Sequence, residues 1–172
     1  MARLSYVEKE SATPDQEKIL AQLTQKNGKI ANIWKIWSHS PLTLETFMAF
    51  YKSLMKGTLD AKLRELAYMK TSLINDCAYC HEAHKGSGRR VGITEEQIKA
   101  IGDYASSSLF SPVEKLVLRY AEDLTRSAKT SDELMAELKK HISESDIVEL
   151  NLTVGTANLT NRFNNSLGTD LD

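Results

Sequence analysis

Between Ser40-Pro41 and Gly57 the apolar residues Leu44, Phe47, Met48, Tyr51, Leu54 and Met55 recur at every third or fourth position. That spacing puts them on one face of a helix, which must be buried against other helices. The serine can cap the free N–H groups, and a proline in the first turn loses no hydrogen bond that would have formed. Ser111-Pro112 repeats the signal ahead of a second stripe, Val113, Leu116, Val117, Tyr120 and Leu124. Thr58 or Asp60 can cap a helix through Leu63, Leu66, Ala67, Leu73 and Ile74. Thr94-Glu95-Glu96-Gln97 has the form of a capping box opening a short helix through Ile98 and Ile101.

The remaining segments follow the same rules. Residues 15–26 carry Ile19, Leu20 and Leu23 at helical spacing, with Asn27-Gly28 as a stop. Ile33, Trp34, Ile36 and Trp37 form a short bulky segment suited to a core or a subunit interface. Gly86, Gly88 and Gly92 break regularity after His84, and residues 105–108 read as a loop. A helix over residues 132–141 carries Leu134, Met135 and Leu138, and Ser143 opens a longer one through Ile147, Leu150, Val154 and Leu159. Strand signals are scarce, so the expected fold is all-α, with about seven or eight helices.

At 172 residues the chain can bury one substantial core, and a single domain over residues 1–172 is expected. A formal net charge of −1 gives no overall pull toward nucleic acid or anionic lipid. The charged start offers no signal-peptide core, and no later run approaches the roughly 18 apolar residues of a membrane helix. These features predict a cytoplasmic protein with neither a nucleic-acid nor a membrane partner. A weak internal repeat aligns Glu65-Leu66 with Glu149-Leu150 and sets Asn161 and Asn164 opposite Cys77 and Cys80. It suggests a duplication in which the second half lacks the cysteines.

Chemistry concentrates in residues 65–84, which hold both cysteines and two of the four histidines. Two cysteines three residues apart close too short a loop to staple a fold, so a redox or metal role is the better reading. On one helix Cys77, Cys80 and His84 share a face, and His84 lies one turn from Cys80. A thiol of pKa about 8.5 is only a few per cent thiolate at neutral pH, and a nearby imidazolium and a helix N-terminus would raise that share. Asp76 opposes this effect unless its carboxylate caps the helix. Glu65 stands about 18 Å from Cys77 along an unbroken helix, too far for a proton relay. It can serve the thiols only if the chain folds back, and Asn75-Asp76 is the expected break.

Glu65, eleven residues, Cys77-Ala78-Tyr79-Cys80, three residues and His84 resembles the active-site motif of the AhpD-like alkylhydroperoxidases in the carboxymuconolactone decarboxylase superfamily. The resemblance runs from about Asn32 through Ser40-Pro41 and Gly57 to Ile98, with its core over residues 58–100, and more faintly to Asn161-Arg162-Phe163. It implies an all-helical bundle assembled as a trimer or hexamer, with no metal and no organic cofactor. It also implies roles: Cys80 attacks a hydroperoxide, Cys77 resolves the sulfenic acid into a disulfide, and Glu65 with His84 relays protons. The reductant would be an external dithiol, lipoyl or thioredoxin-like. Tyr79 departs from the AhpD pattern, which has a histidine between the cysteines, and Tyr79, His81 and Asp76 are assigned supporting places.

Other readings remain open on the residues. Cys77-Ala78-Tyr79-Cys80-His81 fits the short haem-attachment pattern, and Cys77, Cys80, His84 with Glu65 or His81 are acceptable zinc ligands by type. A lactone-processing or decarboxylating enzyme, or a non-catalytic interaction protein, is also compatible. His39 and His141 are expected at the surface or at helix ends. Lys85, Arg89 and Arg90 form a solvated basic edge.

Overall fold

The computed structural model describes residues 1–24 and 28–172. Among the described residues there are nine α-helices, one short 3-10 turn and no strand. The all-α expectation holds, and the helix count is higher than the seven or eight expected. The described residues group into two compact units, residues 1–55 with 164–172, and residues 56–163.

In the first unit, α1 (Pro14–Leu23), α2 (Asn32–Trp37) and α3 (Pro41–Met55) follow a 3-10 turn at Lys9–Ser11. Thr13 and Gln16 form a reciprocal capping box at the start of α1. The helix expected over residues 15–26 is observed to Leu23, with Thr24 extended as its C-cap; residues 25 and 26, and Asn27 of the stop signal, lie outside the described residues. Gly28 adopts φ +77°, a conformation that suits a glycine stop. On α3 the buried positions are Leu44, Phe47 and Leu54. Phe47 stacks on Trp37 with ring centroids 4.5 Å apart and on Tyr51 at 5.9 Å. Ile33 and Ile36 carry the buried face of α2, whereas both tryptophans are only half-buried.

The second unit is built around α4 (Ala61–Ile74), which packs on α7 (Pro112–Ser127) and α5 (Ala78–Arg90). Every residue of α4 from Leu63 to Ser72 is buried. Two apolar rows explain this. Leu63 and Ala67 join a core with Val117, Ala121, Leu150 and Val154, while Leu66 and Met69 join another with Ile93, Ile98, Ile101 and Leu118. Polar residues of α4 are buried with partners: Lys70 Nζ lies 3.2 Å from a Glu122 carboxylate oxygen, and the Thr71 and Ser72 hydroxyls donate to carbonyls one turn back. Asp60, not Thr58, caps α4, accepting from the Lys62 and Leu63 N–H groups at 2.9 and 3.1 Å.

The other helices of this unit are α6 (Glu95–Ala100), α8 (Asp132–Leu138) and α9 (Glu144–Leu167), the last counted here through Phe163. The capping boxes at Thr94 and Ser111 form as their sequences predict. One expectation fails: α5 runs unbroken through Gly86 and Gly88 to Arg90. Gly88 serves packing there, since a Cβ on it would lie 3.3 Å from Met69 Sδ and from Ile93 Cδ1. Burial of the α5 backbone against α4 outweighs the weak helix propensity of glycine. Gly92, at φ +88°, is the effective stop.

Candidate active site

The segment between α4 and α5 is a tight reversal with two functions. The Cys77 N–H bonds back to the Ser72 carbonyl at 2.9 Å and the Asp76 N–H to the Leu73 carbonyl at 3.2 Å. This is the Schellman pattern, and Asp76 occupies its left-handed position at φ +51°. The break predicted at Asn75-Asp76 is therefore present. Its chemistry differs from the expectation, because neither residue is the N-cap of the next helix. Cys77 is, and its Sγ accepts the Cys80 N–H at 3.3 Å. Asp76 is exposed at the turn.

Asn75 anchors this turn to α9. Its side-chain amide donates to Asn158 Oδ1 at 3.0 Å and to Asn161 Oδ1 at 2.9 Å, and Asn161 in turn donates to the Ser72 hydroxyl at 3.1 Å. Asn161, which the repeat set opposite Cys77, is thus fully buried against the end of α4.

Reversal of the chain brings Glu65 and His84 together. Glu65 Oε2 and His84 Nδ1 are 2.8 Å apart, with side-chain exposures of 9% and 14%. The carboxylate assigns the proton to Nδ1 and leaves the lone pair on Nε2. Tyr68 stacks on the imidazole at 3.6 Å between centroids, and its hydroxyl shares a 2.5 Å hydrogen bond with Thr160 on α9. The ring is thus held on one face by Tyr68 and at Nδ1 by Glu65. Sequence reasoning missed Tyr68 and Thr160. Tyr68 lies three residues after Glu65, on the same helix face, and that spacing is the signal that could have found it.

Cys77 and Cys80 are joined as a disulfide with Cα atoms 5.4 Å apart, and both are buried. Tyr79, between them, is buried as well. His81 is half-buried, and burial, with Lys85 next, holds its pKa below the ordinary imidazole value. Among the described residues no group of three or more His, Cys, Asp or Glu side chains converges as a metal-ligand set. None of the helices among the described residues is long and apolar enough to cross a membrane. A cavity of about 620 Å³ lies in the first unit beside Val7, Leu20, Ile30 and Lys35, and none of its lining residues belongs to the dithiol segment.

Residues 41–123 match the Carboxymuconolactone decarboxylase family. The uncharacterized protein YdfG of Bacillus subtilis (strain 168) is 28% identical over 131 residues, covering 75% of this chain and 89% of its own. Among solved structures, a peroxidase-related protein with an alkylhydroperoxidase AhpD core from Ralstonia eutropha JMP134 superposes with a TM-score of 0.87. It is 21% identical and is covered over 92% of its length by 99% of this chain. The debrominase Bmp8, solved as a cysteine-to-alanine variant in complex with 2,3,4-tribromopyrrole, superposes with a TM-score of 0.82 at 17% identity. That match covers all of this chain and 94% of the debrominase. The stretch that matches the Carboxymuconolactone decarboxylase family thus spans Glu65, Cys77, Cys80 and His84, and the fold is shared with these solved structures along nearly the whole length.

Proposed function

We propose that the protein is a dithiol peroxidase, a dithiol–disulfide oxidoreductase that reduces alkyl hydroperoxides through Cys80 and Cys77. The observation that carries this reading is the 2.8 Å Glu65–His84 contact, made across a chain reversal that ends on the dithiol itself. With its proton held on Nδ1, His84 offers Nε2 as a base one helical turn from Cys80. The names of the AhpD-core relatives support the same chemistry.

In the reduced protein His84 takes the Cys80 proton, and the thiolate attacks the terminal peroxide oxygen. The O–O bond breaks, the departing alkoxide recovers the proton from His84, and Cys80 becomes a sulfenic acid. Cys77 then attacks the Cys80 sulfur. An S–S bond forms as the S–O bond breaks, and hydroxide leaves as water with the proton that Cys77 gives up. The product is the disulfide present in this structure. An external dithiol, such as a lipoyl or thioredoxin-like group, returns both thiols to the reduced state, and the protein works as an assembly of like copies.

Peroxide consumption with a dithiol reductant tests this. Cys80→Ser should abolish turnover, while Cys77→Ser should form a trappable sulfenic acid in a single round and stop there. Equal consumption by all three proteins would reject the reading.

A further inference from the structure

We infer that His81 is the base that deprotonates Cys77, so that the site holds two cysteine–histidine pairs, Cys80 with His84 and Cys77 with His81. The inference rests on the reading of the dithiol as the reacting centre, and it adds a residue to which that reading gave only a supporting place.

Three observations meet at this residue. His81 stands four residues after Cys77 on the first turns of α5, and its N–H donates to the Cys77 carbonyl at 2.9 Å, so the two side chains leave the same face. His81 Nδ1 is buried and has no hydrogen-bond partner. The Met69 backbone acts on the same ring and favours its protonated form. A base at this place needs the neutral ring with its proton on Nε2 and its lone pair on Nδ1. A buried acceptor without a donor calls for an explanation. In the disulfide neither sulfur carries a proton, so there is no S–H to reach it. Reduction creates a Cys77 S–H one turn away, and the orphaned nitrogen gains its donor.

The surrounding charges keep His81 available as a base. Burial disfavours its protonated form first, followed by Lys85 and then His84, while Glu82 and the Met69 backbone act the other way. The neutral ring therefore dominates at neutral pH. Cys77 has a second aid in the Cys80 N–H, which points at its sulfur and favours the thiolate. In the closing step His81 Nδ1 takes the Cys77 proton as the sulfur attacks the Cys80 sulfenic acid. The S–S bond forms, the S–O bond breaks, and the hydroxide leaves as water with the proton that His81 took from Cys77. His81 is then neutral again.

The test reads each sulfur separately and needs no peroxide. In a reduced Cys80→Ser background, Cys77 is titrated with an aromatic nitrobenzoate disulfide, which it attacks to release a coloured thiolate. Adding His81→Gln should slow this reaction about 10-fold at pH 7 and move its pH midpoint up toward the ordinary thiol value of about 8.5. In a Cys77→Ser background the same His81→Gln change should leave the Cys80 profile where it was. His81→Asn, whose amide overlays the Nδ1 position, serves if the glutamine variant does not fold, with the same expectation. An unchanged Cys77 profile in a folded variant would overturn the inference. Equal shifts on both sulfurs would also overturn it, since they would mark a general structural effect. Failure of the peroxidase reading would instead show as inert peroxide chemistry with these thiol profiles intact.

Discussion

Asp76 does with an ordinary side chain what glycine does at most helix ends of this kind, holding φ at +51° between two helices. A β-branched residue there would meet the left-handed penalty of about 1–2 kcal/mol. Asp76→Val should therefore lower stability by about that amount and reduce turnover, because the turn sets where Cys77 caps α5. Asp76→Gly should retain both, and denaturant melts with peroxide assays on the two variants check the contrast. Gly57 is constrained by space instead. A Cβ there would run into the Glu149 carboxylate, which accepts the Thr58 and Leu59 N–H groups at 3.0 and 2.8 Å. Gly57→Ala is expected to cost about 1–3 kcal/mol in equilibrium unfolding. Glu65→Gln keeps shape and removes charge from the His84 partner. It should cut peroxide turnover by roughly 100-fold while leaving the fold intact, as followed by activity and circular dichroism.

At the scale of elements, α4 is the part that everything else in its unit must fit. It buries apolar rows on two sides and sends Glu65 toward α5, while its C-terminal turn hangs on Asn75 and Asn161. Asn161→Ala would leave Ser72 and Asn75 each short of a partner in a buried setting and should cost about 1–3 kcal/mol. The start of α7 gives a pH-dependent prediction. Burial raises the pKa of Glu114, but the Lys62 ammonium at 2.7 Å and the Ser111 N–H outweigh it and hold the group below its ordinary value. The folded state thus binds this proton more weakly than the unfolded state. The stability it contributes is present above the ordinary carboxylate pKa and is lost as pH falls through the lower folded value. Glu114→Gln should remove about 1 kcal/mol at pH 7 and little at pH 3, as denaturation at the two pH values would show.

For the whole molecule, the disulfide is a small contributor to stability because it closes only the Cys77–Cys80 loop. Chain entropy for so short a loop amounts to about 2 kcal/mol. Reduction should lower Tm by no more than roughly 4–8 °C and leave the helices formed, as calorimetry with and without a dithiol would show. A larger fall would mean that the pair is a structural staple. By itself the amino-acid sequence determined the helical class and most helix starts and stops, because caps, prolines and apolar spacing act within a turn or two of the chain. It named Asn75-Asp76 as the place where the chain must fold back if Glu65 is to reach the thiols, and the reversal lies there. It misread Gly86 and Gly88 as breakers, because the packing of α5 on Met69 depends on residues distant in sequence. Only the tertiary structure decided that Cys77 rather than Asp76 caps α5, that Tyr68 and Thr160 hold the His84 ring, and that His81 turns a buried nitrogen inward without a partner. Each of these depends on which side chains meet across different helices, and that is set by how the apolar rows of α4 are buried.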